Sequence, residues 1–180
     1  MNRIAKFDTV SEEQFRADAT AAFKGSAAFL DDVIGANEVL YDAYDNLKLP
    51  SRATSGSAGY DFFTPFAVTL APEESVSIPT GIRVKIDVGW ALFILPKSGL
   101  GFKYRLQLDN TVGLIDSDYY GAQNEGHIIV KISNLSLEKK ALELKRGMAF
   151  AQGVFLPYGI TADDATDGIR TGGFGSTSNR

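Results

Sequence analysis

From Lys48 onward, apolar and polar positions alternate with a period of two: Val76 and Ile78, then Ile82, Val84 and Ile86, then Leu92 and Ile94, and later Leu142 and Leu144. That period predicts strands that turn one face to a core. Turn-forming clusters separate them: Ala71-Pro72-Glu73-Glu74, Pro79-Thr80-Gly81, Asp87-Val88-Gly89, Asn134-Leu135-Ser136 and Lys145-Arg146-Gly147. Many short strands at this spacing predict a mostly β chain, a sandwich or barrel. No helix–strand alternation follows residue 50, which argues against a doubly wound sheet.

The first 46 residues have a different texture, rich in Ala, Asp and Glu and free of Pro. Ser11-Glu12-Glu13-Gln14 predicts a capping box, with Ser11 accepting from the Gln14 amide and Gln14 reaching back. Phe15, Ala19, Ala22 and Phe23 then recur at helical spacing, with Gly25 as a stop. A second helix is expected from about Asp31, with Val33, Ile34, Leu40 and Tyr44 on its apolar stripe, ending before Pro50. Residues 1–46 therefore form a short α-helical N-terminal extension, either a helix pair that covers apolar surface of the main unit or a partner-binding or lid element. Residues 47–160 hold the β domain. Residues 161–180 carry Gly168, Gly172, Gly173 and Gly175 with little to build a core, and are expected to be a flexible arm that orders on a ligand.

Composition narrows the chemistry. With 180 residues and 44% hydrophobic content the chain can bury one sizeable core. A formal charge of -4 and a pI near 5.0 argue against nucleic-acid binding through a general basic surface. There is no cysteine, hence no disulfide, thiolate nucleophile or cysteine-ligated zinc, and the single His127 excludes a histidine cluster. The N-terminus lacks an apolar leader and no run of about 18 apolar residues occurs, so the expected location is cytoplasmic, with no membrane partner.

Chemistry-bearing residues concentrate in NTVGLIDSDYYG, Asn110 to Gly121. On an extended backbone Asp116 and Asp118 point to one face, and two like charges side by side need a cation, a donor or a task. From that stretch alone, a β-hairpin turn rich in Asp, Ser and Gly is as good a reading as a site. Four other segments also hold more Gly, Ser, Asp and basic residues than turns require: SGSAGYDFF (Ser55 to Phe63), PKSGLGFKY (Pro96 to Tyr104), RGMAFAQGVF (Arg146 to Phe155) and RTGGFGSTSNR (Arg170 to Arg180). None ends in the Gly-Lys-Ser/Thr of a Walker A loop.

In this order and spacing the five segments resemble the five motifs of the trimeric dUTP pyrophosphatase (dUTPase) family, over about Lys48 to Thr177. The resemblance implies a dUTPase-like β-barrel or jelly-roll sandwich. It also implies roles residue by residue. Asp116 is the general base that activates water, a carboxylate being ionised at neutral pH and able to accept a proton. Asn110 reads the uracil edge with one donor and one acceptor, with the backbone around it, at Gly113 and Ile115, shaping the base pocket. Tyr119 lies against the deoxyribose and leaves no room for a 2′-hydroxyl, and Phe174 closes over the base. Lys97, Ser98, Gly99, Gln152, Arg170, Ser176 and Thr177 hold phosphates, with amides at Gly99 and Leu100 as further donors. Asp61 supports the phosphate side and Asp118 supports the hairpin or balances charge. Two positions depart from the family pattern: Lys97 stands for an arginine and so lacks the bidentate fork, and Ala149 replaces another arginine, for whose charge nearby Arg146 is the available substitute.

The activity so implied is hydrolysis of dUTP to dUMP and pyrophosphate by in-line attack of an Asp116-activated water on the α-phosphorus. Mg²⁺ is the implied cofactor, held by the triphosphate and waters with no direct protein ligand, Asp61 reaching it through water. A homotrimer with shared sites is the implied partner arrangement. Two other classes fit the same residues: a dCTP deaminase-related or bifunctional enzyme, and a non-catalytic dUTP-binding regulatory trimer.

Overall fold

The structure, a computed structural model, describes residues 2–23, 37–168, 170 and 172. Eleven strands lie among these residues. They are β1 (Ala5–Thr9), β2 (Tyr60–Phe63), β3 (Val68–Leu70), β4 (Ser75–Pro79), β5 (Ile82–Ile86), β6 (Trp90–Pro96), β7 (Gln107–Leu108), β8 (Gly113–Ile115), β9 (Ile129–Ser133), β10 (Leu142–Leu144) and β11 (Ala149–Pro157). The helices are α1 (Glu12–Phe23), α2 (Asn37–Asp45) and α3 (Ser98–Tyr104), with a 3-10 turn at Ser117–Gly121.

Every ladder is antiparallel: β2-β11-β6-β8, β4-β9-β7, β1-β5 and β10-β3. The alternating positions deliver the core as expected, with Val76, Ile78, Ile82, Val84, Ile86, Leu92, Ile94, Leu142 and Leu144 all buried. The turns at Gly81, Gly89 and Gly147 follow the predicted punctuation. The outcome is a mostly β fold built from small antiparallel sheets around one core.

The N-terminal region is knit into that core. Phe15, Ala19 and Phe23 of α1 are buried, at helical spacing. Phe15 stacks on Phe66 at 5.8 Å and tilts against Tyr44 at 5.7 Å. Fully burying each phenylalanine contributes roughly 1.5–3 kcal/mol, which explains why the helix lies down on the sheet despite a weak polar-face pattern. Ahead of it Ala5–Thr9 is a strand paired with β5, so the extension is not purely helical. Its cap also differs from the box expected. The Gln14 amide does donate to Ser11 Oγ at 3.2 Å, but Gln14 turns to Asp18, and the Ser11 amide is taken by Glu125 at 2.7 Å. The expected stop at Gly25 and the helix start at Asp31, with Val33 and Ile34, lie outside the described residues.

Two local differences shape the site. Asn110 does not sit in a β-hairpin, because β7 pairs with β9 while β8 pairs with β6. The chain changes sheets at Asp109–Val112, through Thr111 at φ 67°. The phosphate-loop segment contains α3, a seven-residue helix that opens at Ser98.

Candidate active site

One group of site residues gathers at the Pro96 end of β6. Gln152 on β11 lies opposite both Asp61 on β2 and Leu95 on β6. Lys97, the next residue after β6, folds its ammonium onto both oxygens of Asp61 at 2.7 Å. Gln152 donates to the Pro96 carbonyl at 3.4 Å. Ser98 and Gly99 begin α3, where first-turn amides have no intrahelical acceptor. The Leu100 amide, expected as a phosphate donor, is instead spent on the Lys97 carbonyl at 3.0 Å. Asp61, Lys97, Ser98, Gly99 and Gln152 therefore form one polar cluster with donors at its mouth. Arg146 does not join it and pairs instead with Asp42 on α2.

A second group surrounds the 3-10 turn. Asp116 keeps an extended backbone but Asp118 lies inside the tight helical turn Ser117–Gly121, so the two are not on one extended stretch, yet both carboxylates still reach one partner. That partner is Arg170: its Nη2 lies 2.6 Å from Asp116 and its Nε 3.0 Å from Asp118, and its guanidinium sits 5.5 Å from the Tyr119 ring centroid. The arm's arginine thus lies on the acidic pair rather than beside Lys97 and Ser98, and Asp118 engages Arg170 rather than bracing a hairpin. Burial raises the Asp116 pKa above the ordinary carboxylate value, the Arg170 charge opposes that rise and Asp118 adds to it. The two carboxylates remain about half exposed while the Arg170 side chain is mostly covered.

Tyr119 is only 2% exposed. Its hydroxyl donates to the His127 carbonyl at 2.9 Å and accepts from Asn124 at 2.8 Å. Burial pushes the phenol pKa up, which keeps it a neutral donor. With the hydroxyl committed, Tyr119 can offer a ligand only its ring.

A cavity of about 440 Å³ is lined by Ile94, Leu108, Asn110, Gly113, Ile115 and Val130 among others. A Cβ on Gly113 would stand 3.0 Å from Ile94 Cβ, so glycine is what lets β8 approach β6 at this wall. The apolar lining from β6, β7 and β9 was not visible in the motifs, because those residues read as ordinary strand positions. At the rim Asp109 pairs with Lys131 at 2.8 Å. Burial works to raise Asp109, but Lys131 and Ser133 outweigh it and hold the carboxyl below its usual range.

The two polar groups of one chain stand apart. Ile115 faces Leu92 across the ladder, so Asp116 follows at the level of Ala91, six residues along β6 from Lys97. At about 3.3 Å per residue the separation is roughly 20 Å. Phe174, Ser176 and Thr177 lie outside the described residues.

The sequence model of one protein family, dUTPase, matches residues 45–178. The chain belongs to the dUTPase family. The match covers the first four motifs and the fifth as far as Ser178. A deoxyuridine 5'-triphosphate nucleotidohydrolase of Lactococcus lactis is 39% identical over 134 residues, 73% of this chain and 88% of that protein. One of the same description from Methylobacillus flagellatus is 44% identical over 138 residues, 72% of this chain and 87% of that protein. The crystal structure of dUTPase from Streptococcus mutans superposes with a TM-score of 0.58 at 36% identity, over 65% of this chain and 90% of that one. A dUTPase variant from phage phi11 of S. aureus, described with a structural Mg(II) ion, shares the fold at 22% identity and a TM-score of 0.56. The dUTPase match begins at residue 45, so β1, α1 and most of α2 lie ahead of it.

Proposed function

We propose that the chain hydrolyses dUTP to dUMP and pyrophosphate, in a homotrimer whose copies share each site. The observation that carries the activity is the juxtaposition of Asp116, the Tyr119 ring and the Asn110 cavity within a chain of dUTPase sequence. The uracil enters the cavity, where the Asn110 amide meets its polar edge and the close Gly113 backbone limits space. Tyr119 sets its ring against the sugar. Asp116 accepts a proton from water placed in line with the α-phosphorus, a transfer worth about 10²–10⁴-fold in rate. Arg170 leaves the carboxylates as the nucleotide arrives and moves with the arm towards the phosphates, with Phe174, Ser176 and Thr177 completing the cover.

The sharing of sites is supported by distance. A phosphoryl group held by Ser98 and Gln152 stands too far from the Asp116 of the same chain for attack, which needs reacting atoms within about 3–3.5 Å. A second copy that brings its Lys97–Ser98–Gln152 cluster to the first copy's Asp116 removes that gap.

Asp61 is a lone carboxylate already held by Lys97, which suits a water of a hydrated cation better than direct ligation. Mg²⁺ carried by the triphosphate would supply neutralisation of the departing pyrophosphate. Pyrophosphate release should be measured on dUTP, dTTP, dCTP and UTP, with and without Mg²⁺, alongside ammonia release from dCTP. Rapid, Mg²⁺-dependent release from dUTP alone is expected; turnover of dCTP to ammonia, or binding of dUTP without turnover, would contradict the assignment.

A further inference from the structure

Tyr119 is held from behind by a turn that the N-terminal helix holds in place. The acceptor of its hydroxyl is the His127 carbonyl and its donor is Asn124, so its position depends on the 124–127 turn. That turn has two successive left-handed residues, Glu125 at φ 58° and Gly126 at φ 72°. A Cβ at Gly126 would meet the Tyr119 carbonyl at 2.6 Å. A non-glycine residue at positive φ is uncommon and persists where its surroundings enforce it.

The enforcing contacts come from α1 and the residue before it. Ser11 binds both Glu125 oxygens, one through its amide and the other through its hydroxyl, at 2.7 Å each. Asp18 meets His127 Nδ1 at 2.6 Å. The Gly81 amide donates to His127 Nε2 at 2.8 Å, so Nε2 carries no proton and Nδ1–H donates to Asp18. His127 is wholly buried, and Gln14 supports the other side of the contact by donating to Asp18 at 2.9 Å. Burial works to raise the Asp18 pKa, but the hydrogen bonds from His127 and Gln14 outweigh it and hold the carboxyl below its usual value, as an ionised acceptor. A continuous path therefore runs from Asp18 through His127 to the Tyr119 hydroxyl, and a parallel one from Ser11 through Glu125.

We infer that Asp18 and Ser11 are positioning residues for sugar discrimination: the segment ahead of the dUTPase match sets the depth of the Tyr119 ring and hence the exclusion of a 2′-hydroxyl. This rests on the assignment of Tyr119 as the wall of the sugar site. Asp18→Ala removes the acceptor, frees the His127 ring and unseats the carbonyl that holds Tyr119. Asp18→Asn keeps an oxygen acceptor for Nδ1–H and serves as the conservative rescue.

The decisive readout is the ratio of kcat/KM for dUTP to that for UTP, measured with Asp18→Ala, Asp18→Asn, Ser11→Ala and Tyr119→Leu. Asp18→Ala is expected to lower the ratio by about 10-fold or more, the range in which pocket contacts discriminate. Ser11→Ala should lower it less, and Asp18→Asn should hold most of it. A helix that serves stability alone would lower the melting temperature in Asp18→Ala and leave the ratio intact. If Asp18→Ala does not fold, the same comparison stands on Ser11→Ala, whose change is exposed. An unchanged ratio in the α1 variants, with relaxation in Tyr119→Leu, overturns the inference. An unchanged ratio in Tyr119→Leu overturns the sugar-wall assignment, and the inference with it.

Discussion

Replacing Phe15 by alanine tests whether the N-terminal helix belongs to the core. Phe15 is 0% exposed and lies against Phe66 at 5.8 Å, nearly parallel, against Tyr44 at 5.7 Å and against His127 at 6.2 Å. Truncation therefore removes transfer free energy and leaves a void among groups fixed by other contacts, at a cost of about 3–5 kcal/mol. For a chain of this size each kcal/mol moves the melting temperature by roughly 2–4 °C, so the expected fall is roughly 6–20 °C. Against a typical total of about 5–15 kcal/mol the loss is large. Thermal unfolding followed by circular dichroism reads it, at one fixed protein concentration because self-association shifts melting points. Glu13→Ala, exposed on the same helix, is the control and should change stability by no more than about 0.5 kcal/mol. A Phe15→Ala melting point within that control's range would refute the account of α1 as part of the core and leave it a dispensable appendage.

Asp116→Asn should cut kcat by about 10²–10⁴-fold while nucleotide still binds, measured by pyrophosphate release and calorimetric titration. The same variant should melt slightly higher at pH 7. The Asp116 pKa is raised in the folded chain, so its ionisation costs stability above that pKa, a cost that fades as pH falls through it and vanishes below the unfolded value. In the pH profile of kcat/KM, Arg170→Gln should move the acid limb to higher pH, because the Arg170 charge lowers the Asp116 pKa. Asp118→Asn should move it lower, and shifts in the reverse directions would refute the electrostatic assignment. Lys97→Met leaves Asp61 without its ammonium partner and is expected to raise KM for dUTP, which steady-state kinetics would register.

The period-two stretches made the strands legible because each has one buried face, and the motif residues were legible because few other types do their chemistry. What was hidden depends on partners distant in sequence. Ala5–Thr9 does alternate, but five residues beside a capping box carry little signal until β5 is there to pair with them. Gly99 and Gly101 mask α3, since glycine is a poor helix former. The sheet change at Asp109–Val112 follows from which strands β7 and β8 join. Arg170 could be recognised as a basic arm residue, but its seat on Asp116 and Asp118 exists only in three dimensions. The Asp18–His127 contact spans 109 positions, and a lone histidine gives no sign of its partner.

In the proposed shared site one chain's Asp116 works with another chain's phosphate cluster. Asp116→Asn and the double variant Ser98→Ala, Gln152→Ala should each be nearly inactive alone. Co-expressed with different tags and purified on both, they should recover activity, since each mixed symmetric trimer reunites intact halves in about a third of its sites. Activity no greater than that of the separate variants would contradict the shared site.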